Sequence, residues 1–128
     1  MKRDFQRVAI VNRGEAAIRF IHAVREFNQE HRTKMRTVAL FTDVERNALF
    51  VREADEGVCM GSAQVLAVGT ERRRFSYMDY ERLGRALSEA HADAAWVGWG
   101  FVAEHAAFAD LCGEMNIVFI GLPELMPT

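Results

Sequence analysis

The sequence predicts an α/β domain, an open and mainly parallel five-stranded sheet with helices on both faces. Three observations predict it. Short apolar runs alternate with segments of helical period; the runs are near-continuously hydrophobic, as strands buried on both faces must be; and the first run breaks into a glycine-containing turn that opens a helix. Parallel strands joined through helices take right-handed crossovers, which distributes the helices over the two faces.

Val8 to Val11 is the first apolar run and reads as a buried strand. After Gly14, Ala17, Ile18, Ile21, Val24 and Phe27 recur at helical spacing against polar Glu15, Arg19, His22, Arg25 and Glu26, so a helix is expected to about Glu30. Thr37 to Phe41 is the second strand. Asp43 is expected to cap a short helix through Asn47, Ala48, Leu49 and Val51, followed by a small third strand, Gly57 to Met60. From Gly61 to Met78 there is no periodicity, and a surface loop is the economical reading, long for a compact domain. Asp79 is expected to cap a helix carrying Leu83, Ala86, Leu87 and Ala90, with Ala94 to Val97 as the fourth strand. Ala106, Phe108, Ala109, Leu111, Cys112 and Met115 make a further helix, and Ile117 to Ile120 is the last strand. The whole is Rossmann-like.

At 128 residues, half of them apolar, the chain has the mass of one domain, residues 1–128. A formal net charge of −2 gives no global footprint for nucleic acid or an anionic membrane. No apolar run nears the roughly 20 residues of a membrane helix, and no signal-like apolar region follows Met1, so a cytoplasmic protein is expected. Cys59 and Cys112 sit in apolar contexts without C-x-x-C spacing and read as buried free thiols. His22, His31, His91 and His105 lack paired metal spacing, and no serine lies in a G-x-S-x-G elbow. The run Arg72-Arg73-Arg74 reads as a solvated loop.

Two turns remain as candidate sites. Asn12-Arg13-Gly14-Glu15 supplies one glycine where a dinucleotide pyrophosphate asks for G-x-G-x-x-G, so dinucleotide binding is disfavoured; a generic strand-to-helix turn stands beside a ligand role. Gly98-Trp99-Gly100-Phe101 follows a strand's carboxyl end, where open α/β sheets bind ligands. Its glycines would let backbone amides approach a ligand while Trp99 offers a flat wall; a tight turn with aromatics over the sheet edge is the alternative.

Taken together, these segments resemble the N-terminal, pre-ATP-grasp domain of biotin carboxylase, from biotin-dependent acyl-CoA carboxylases of the acetyl- or propionyl-CoA type. Asn12-Arg13-Gly14-Glu15-Ala16-Ala17-Ile18-Arg19 resembles the family's N-R-G-E-I-A-L-R, Glu53 to Gly61 resembles L-A-D-E-A-V-C-I-G, and Ile117 to Gly121 resembles I-V-F-I-G. Trp96-Val97-Gly98-Trp99-Gly100-Phe101-Val102-Ala103-Glu104-His105 is closer to the W-A-G-W-G-H-A-S-E-N of large single-chain acetyl-CoA carboxylases than to the H-P-G-Y-G-F-L-S-E-N of bacterial subunits.

The resemblance implies a parent enzyme, a ligase, in which ATP activates bicarbonate and the carboxyl group passes to biotin on a carrier domain. ATP, Mg²⁺ and bicarbonate would be held mainly by an ATP-grasp domain following this segment, and this chain alone would be inactive. By position, Gly98, Trp99 and Gly100 would stand near biotin, with Glu104 as a nearby polar contact. Arg19, His22 and Glu26 would lie on a face used for dimerisation or regulation, His22 replacing a family arginine and its two-pronged donor. Partners would be the remaining lobes and the carrier domain, with self-association through surfaces left open. A free-standing Rossmann-like binding or regulatory module without catalysis is the alternative expectation.

Overall fold

A computed structural model of the chain describes residues 5–61, 64–66, 73–75, 80–98 and 106–120. The elements run β1 (Arg7–Ile10), α1 (Gly14–His31), β2 (Arg36–Phe41), a 3-10 turn (Asp43–Glu45), α2 (Leu49–Glu53), β3 (Glu56–Cys59), β4 (Gln64–Leu66), β5 (Arg73–Phe75), α3 (Tyr80–Ala90), β6 (Ala94–Trp96), α4 (Ala106–Glu114) and β7 (Val118–Ile120). Five strands form one sheet in the order β3-β2-β1-β6-β7, every neighbouring pair parallel. The expected architecture is therefore the observed one.

Strand alternation sorts the core into two layers. Val8, Ile10, Ala39, Phe41, Ala94 and Trp96 meet Ala17 and Ile21 of α1 and Phe50 of α2 on one face. Ala9, Val11, Val38, Leu40, Ala95 and Val97 meet Leu83, Ala86 and Leu87 of α3 and Phe108 and Cys112 of α4 on the other. Burial on both faces is why these strands carry almost no polar residue.

Local chemistry fixes the connections. α1 ends on Arg32 in the left-handed conformation, φ 55°, and the Asn28 side chain ties down the turn that follows. Its Nδ2 donates to the Met35 carbonyl at 2.9 Å, while its Oδ1 accepts from Met35 N at 3.0 Å and Thr33 Oγ1 at 2.8 Å. At the amino edge of the sheet, Arg7 grips Glu56 with its two terminal guanidinium nitrogens, at 2.6 and 2.8 Å, and Arg36 adds a third contact at 3.0 Å. Asp93 accepts from the backbone N–H groups of Gln6 and Arg7 at 2.8 and 3.0 Å, binding β1 to the entry of β6.

Three expectations are corrected. The segment between Gly61 and Met78 is no mere loop: β4 and β5 pair antiparallel, Val65 opposite Arg74, in strands of three residues. Strands so short show no period, and consecutive arginines mask β character. Asp43 does not cap a continuous helix. Thr42 takes that place, its N–H and hydroxyl both donating to the Glu45 carboxylate at 3.0 and 2.9 Å, and the segment splits into a 3-10 turn and a five-residue helix. Cys59 is half-exposed rather than buried, because β3 is an edge strand. Its Sγ donates to Asp43 Oδ1 at 3.1 Å, whereas Cys112 is fully buried as expected, and burial pushes its thiol pKa up to about 11. The Asp79 cap lies outside the described residues.

Candidate functional site

The chain leaves β1 for β2 on one side and later adds β6 and β7 on the other, so the strand order reverses at the β1/β6 boundary. Carboxyl ends of strands at such a reversal are where open α/β sheets take ligands. Asn12 of the first turn and Gly98, the one described residue of the second, meet there.

Asn12 leaves β1 and reaches across to the exit of β6, its Nδ2 donating to the Val97 carbonyl at 2.7 Å. Its Oδ1 accepts the Arg13 N–H at 2.7 Å, and Val11 N donates to the Trp96 carbonyl at 2.9 Å. Gly98 follows with φ +59°, a region where side chains are strained. A Cβ built there would stand 2.5 Å from Trp96 Cζ2, 2.8 Å from Trp96 Cη2 and 3.1 Å from Asn12 Nδ2. Trp96 cannot swing aside, since it is 5% exposed and stacks on Phe20 with centroids 4.4 Å apart and planes 8° from parallel. Its Nε1 is buried without a hydrogen-bond partner among the described residues.

The helix that opens beyond Asn12 starts from Arg13 in extended conformation, with no side-chain cap on its first turn. Arg13 pairs with Glu45 at 3.3 Å across a groove of about 410 Å³, whose wall includes Ile18, Leu49 and Phe50 and whose rim carries the 80% exposed Val44. Trp99, Gly100 and Glu104 lie outside the described residues. Among the described residues no group of three or more His, Cys, Asp or Glu side chains could hold a metal.

On the outer face of α1, Arg19 pairs with Glu15 one turn away at 3.2 Å, and Glu26 is exposed. His22 docks on Glu53 at the end of α2, with Nε2 2.9 Å from Oε1. Arg25 shares that carboxylate at 3.0 Å and also donates to the Glu53 carbonyl. Hydrogen bonds from His22 first and Arg25 second hold the Glu53 carboxyl below its ordinary range. Sequence reasoning missed this pairing of Arg25 and Glu53, which lie 28 residues apart on different helices.

An all-parallel sheet with helices on both faces, its strand order reversing between β1 and β6, defines an open α/β domain. The chain belongs to the family described as biotin carboxylase, N-terminal domain, whose model matches residues 4–126. It is 35% identical over 116 residues to biotin carboxylase 1 of Bacillus subtilis, covering 91% of this chain and 23% of that protein. It is 32% identical over 120 residues to the mitochondrial propionyl-CoA carboxylase alpha chain of Rattus norvegicus, covering 94% of this chain and 14% of that one. Among solved structures, a biotin carboxylase–β-γ-ATP complex from Campylobacter jejuni matches with TM-score 0.72 and 28% identity, over 91% of this chain and 23% of that one. The biotin carboxylase domain dimer of Hydrogenobacter thermophilus 2-oxoglutarate carboxylase, solved with MgADP, ADP and bicarbonate, matches with TM-score 0.70 and 33% identity, over 92% of this chain and 23% of that one. This chain thus spans less than a quarter of the length of these relatives. Among the described residues no helix is long and apolar enough to cross a membrane.

Proposed function

We propose that this chain serves as the N-terminal lobe of a biotin carboxylase module in an acyl-CoA carboxylase, of the kind found in large single-chain forms. The module uses ATP, Mg²⁺ and bicarbonate to carboxylate biotin, and the remaining lobes hold the nucleotide and the metal. This lobe supplies a wall at the carboxyl edge of its sheet: Gly98, Trp99 and Gly100 stand toward biotin, with Glu104 as a polar neighbour. The outer face of α1, carrying Arg19, His22 and Glu26, serves assembly or regulation. The carrying observation is the lock at the strand-order reversal, where the Asn12 amide and the Trp96 ring together demand glycine at 98.

The test grafts the 128 residues onto Bacillus subtilis biotin carboxylase 1 in place of its matched N-terminal portion. The graft should carboxylate free biotin with ATP and bicarbonate, and Gly100→Val should raise KM for biotin while leaving the bicarbonate-dependent ATP hydrolysis that proceeds without biotin unchanged. The 128-residue chain alone should show no turnover. Turnover by the chain alone, or an inactive graft that is folded, would overturn the reading.

A further inference from the structure

Where β3 ends against α3, with β2 between it and the strand-order reversal, the chain builds a small cavity of charged character. It measures about 200 Å³ and is lined by Cys59 and Met60 at the end of β3 and by Arg82, Arg85, Ala86 and Glu89 of α3. The α3 residues follow Arg82 at three, four and seven positions, so they share one stripe of the helix. Met60 and Ala86 are buried and form the apolar floor, while Arg85 and Glu89 are exposed and Arg82 is half-buried. Gly61 seats one of the two guanidiniums. Its φ is +96°, and a Cβ built there would stand 3.5, 3.7 and 3.8 Å from Arg82 Nη1, Cζ and Nη2, so the guanidinium lies flat over the glycine. Gly61 is held on both sides, Asp43 N donating to its carbonyl at 2.7 Å and its own N–H donating to Cys59 Sγ at 3.4 Å. Arg85 makes no ion pair among the described residues, although Glu89 stands one turn further along the same cavity.

We propose that this cavity binds a small oxyanion, a carboxylate or phosphate group, between Arg82 and Arg85. The site stands apart from the carboxylase reading and from the biotin side of the sheet. Guanidiniums meet such groups with paired, charge-assisted N–H donors, and two of them line one cavity here. The volume falls below the ~300–1,000 Å³ of pockets for drug-sized ligands, which selects a small ion over a nucleotide. Glu89 sets the placement. Its like charge repels the anion, so the bound group lies toward the two arginines and a second anionic group on the same ligand is disfavoured.

Cys59 reports occupancy, since its thiol lines the same cavity while Cys112 is buried. The rate of Cys59 alkylation by uncharged iodoacetamide is followed by mass spectrometry on the 128-residue chain at pH 8, in rising phosphate or acetate with ionic strength held by sodium chloride. A bound anion blocks one approach to the thiol and disfavours its thiolate, so the rate should fall saturably by at least ~3-fold. Phosphate acting alone assigns the site to tetrahedral oxyanions, acetate acting alone to carboxylates, and both acting to oxyanions of either shape. Arg85→Ala, at an exposed helix position, should remove the effect. Glu89→Gln should lower the half-saturating concentration at least ~2-fold by taking away the like charge. Arg46→Ala should keep the effect, because Arg46 lies outside the cavity although its Nη2 stands 3.6 Å from Cys59 Sγ. A rate that neither anion lowers, an effect that survives Arg85→Ala, or one that Arg46→Ala removes overturns the proposal.

Discussion

Gly98→Ala isolates the geometry on which the candidate site rests. Two costs act at once. The native φ of +59° lies in the left-handed region, where an L side chain costs roughly 1–2 kcal/mol. The added Cβ would stand 2.5 and 2.8 Å from two indole carbons of Trp96, closer than real Cβ contacts reach, and Trp96 is held by its stack on Phe20. Relieving such overpacking costs typically about 1–3 kcal/mol. The sum is ~2–5 kcal/mol, a large fraction of the ~5–15 kcal/mol that holds a domain folded. Urea denaturation read by far-UV circular dichroism measures it.

The two costs separate in a second background. Trp96→Phe removes the six-membered part of the indole, and with it both clashing carbons; there Gly98→Ala should cost only the backbone share of roughly 1–2 kcal/mol. Trp96→Phe alone should itself be mild, because it also deletes a buried Nε1 that has no partner among the described residues. A Gly98→Ala penalty within ~0.5 kcal/mol of zero, or one of equal size in both backgrounds, would refute the packing argument.

Glu56 is held at about 2 by its contacts with Arg7 first and Arg36 second, against 4.5 for an ordinary glutamate, so its stabilisation is complete above pH 4.5 and lost as pH falls from there toward 2. With its side chain 39% exposed, solvent screening trims this to about 1 kcal/mol; acid titration of stability should lose that slope in Glu56→Gln. In the native protein at pH 8 a thiol reagent should modify Cys59 and spare Cys112, whose pKa of about 11 and full burial remove the thiolate; two fast-reacting thiols would contradict the structure. Asn28→Ala should destabilise by roughly 1–3 kcal/mol in thermal denaturation, since one side chain serves three groups between α1 and β2.

How much was legible follows from the range over which each feature is determined. Strands buried on both faces must be apolar along their length, so Val8 to Val11 and Thr37 to Phe41 announced themselves, and helical spacing from Ala17 to Phe27 did the same for α1. Short elements set by one or two hydrogen bonds were misplaced: Thr42, immediately after a strand, won the capping role expected of Asp43 because its backbone was already positioned to meet Glu45. The site was half legible. Gly98 stood out as a glycine after a strand, yet the reason it must be glycine lies in the Trp96 ring and in an amide 86 positions earlier in the chain, which no local pattern carries. His22 was read on its helix alone, and its partner Glu53 lies 31 residues away.

The first turn, from Asn12 to Glu15, tests whether proximity to a strand-order reversal confers a ligand role. The Asn12 side chain is turned inward while Arg13 and Glu15 stand exposed: its amide spans to Val97 and its carbonyl oxygen takes the Arg13 N–H, so Asn12 fastens β1 to β6. Asn12→Asp keeps the acceptor and removes the donor, setting a carboxylate against the Val97 carbonyl that Nδ2 now meets at 2.7 Å. Loss of this partly buried bond, with an acceptor left facing an acceptor, should cost about 1–3 kcal/mol of stability. In the Bacillus graft the same change should leave KM for ATP and for biotin within twofold of the parent graft, because the turn acts on the sheet and not on a substrate. A raised KM with unchanged stability would return Asn12 to the ligand site and move the working edge of the domain from Gly98 back to β1.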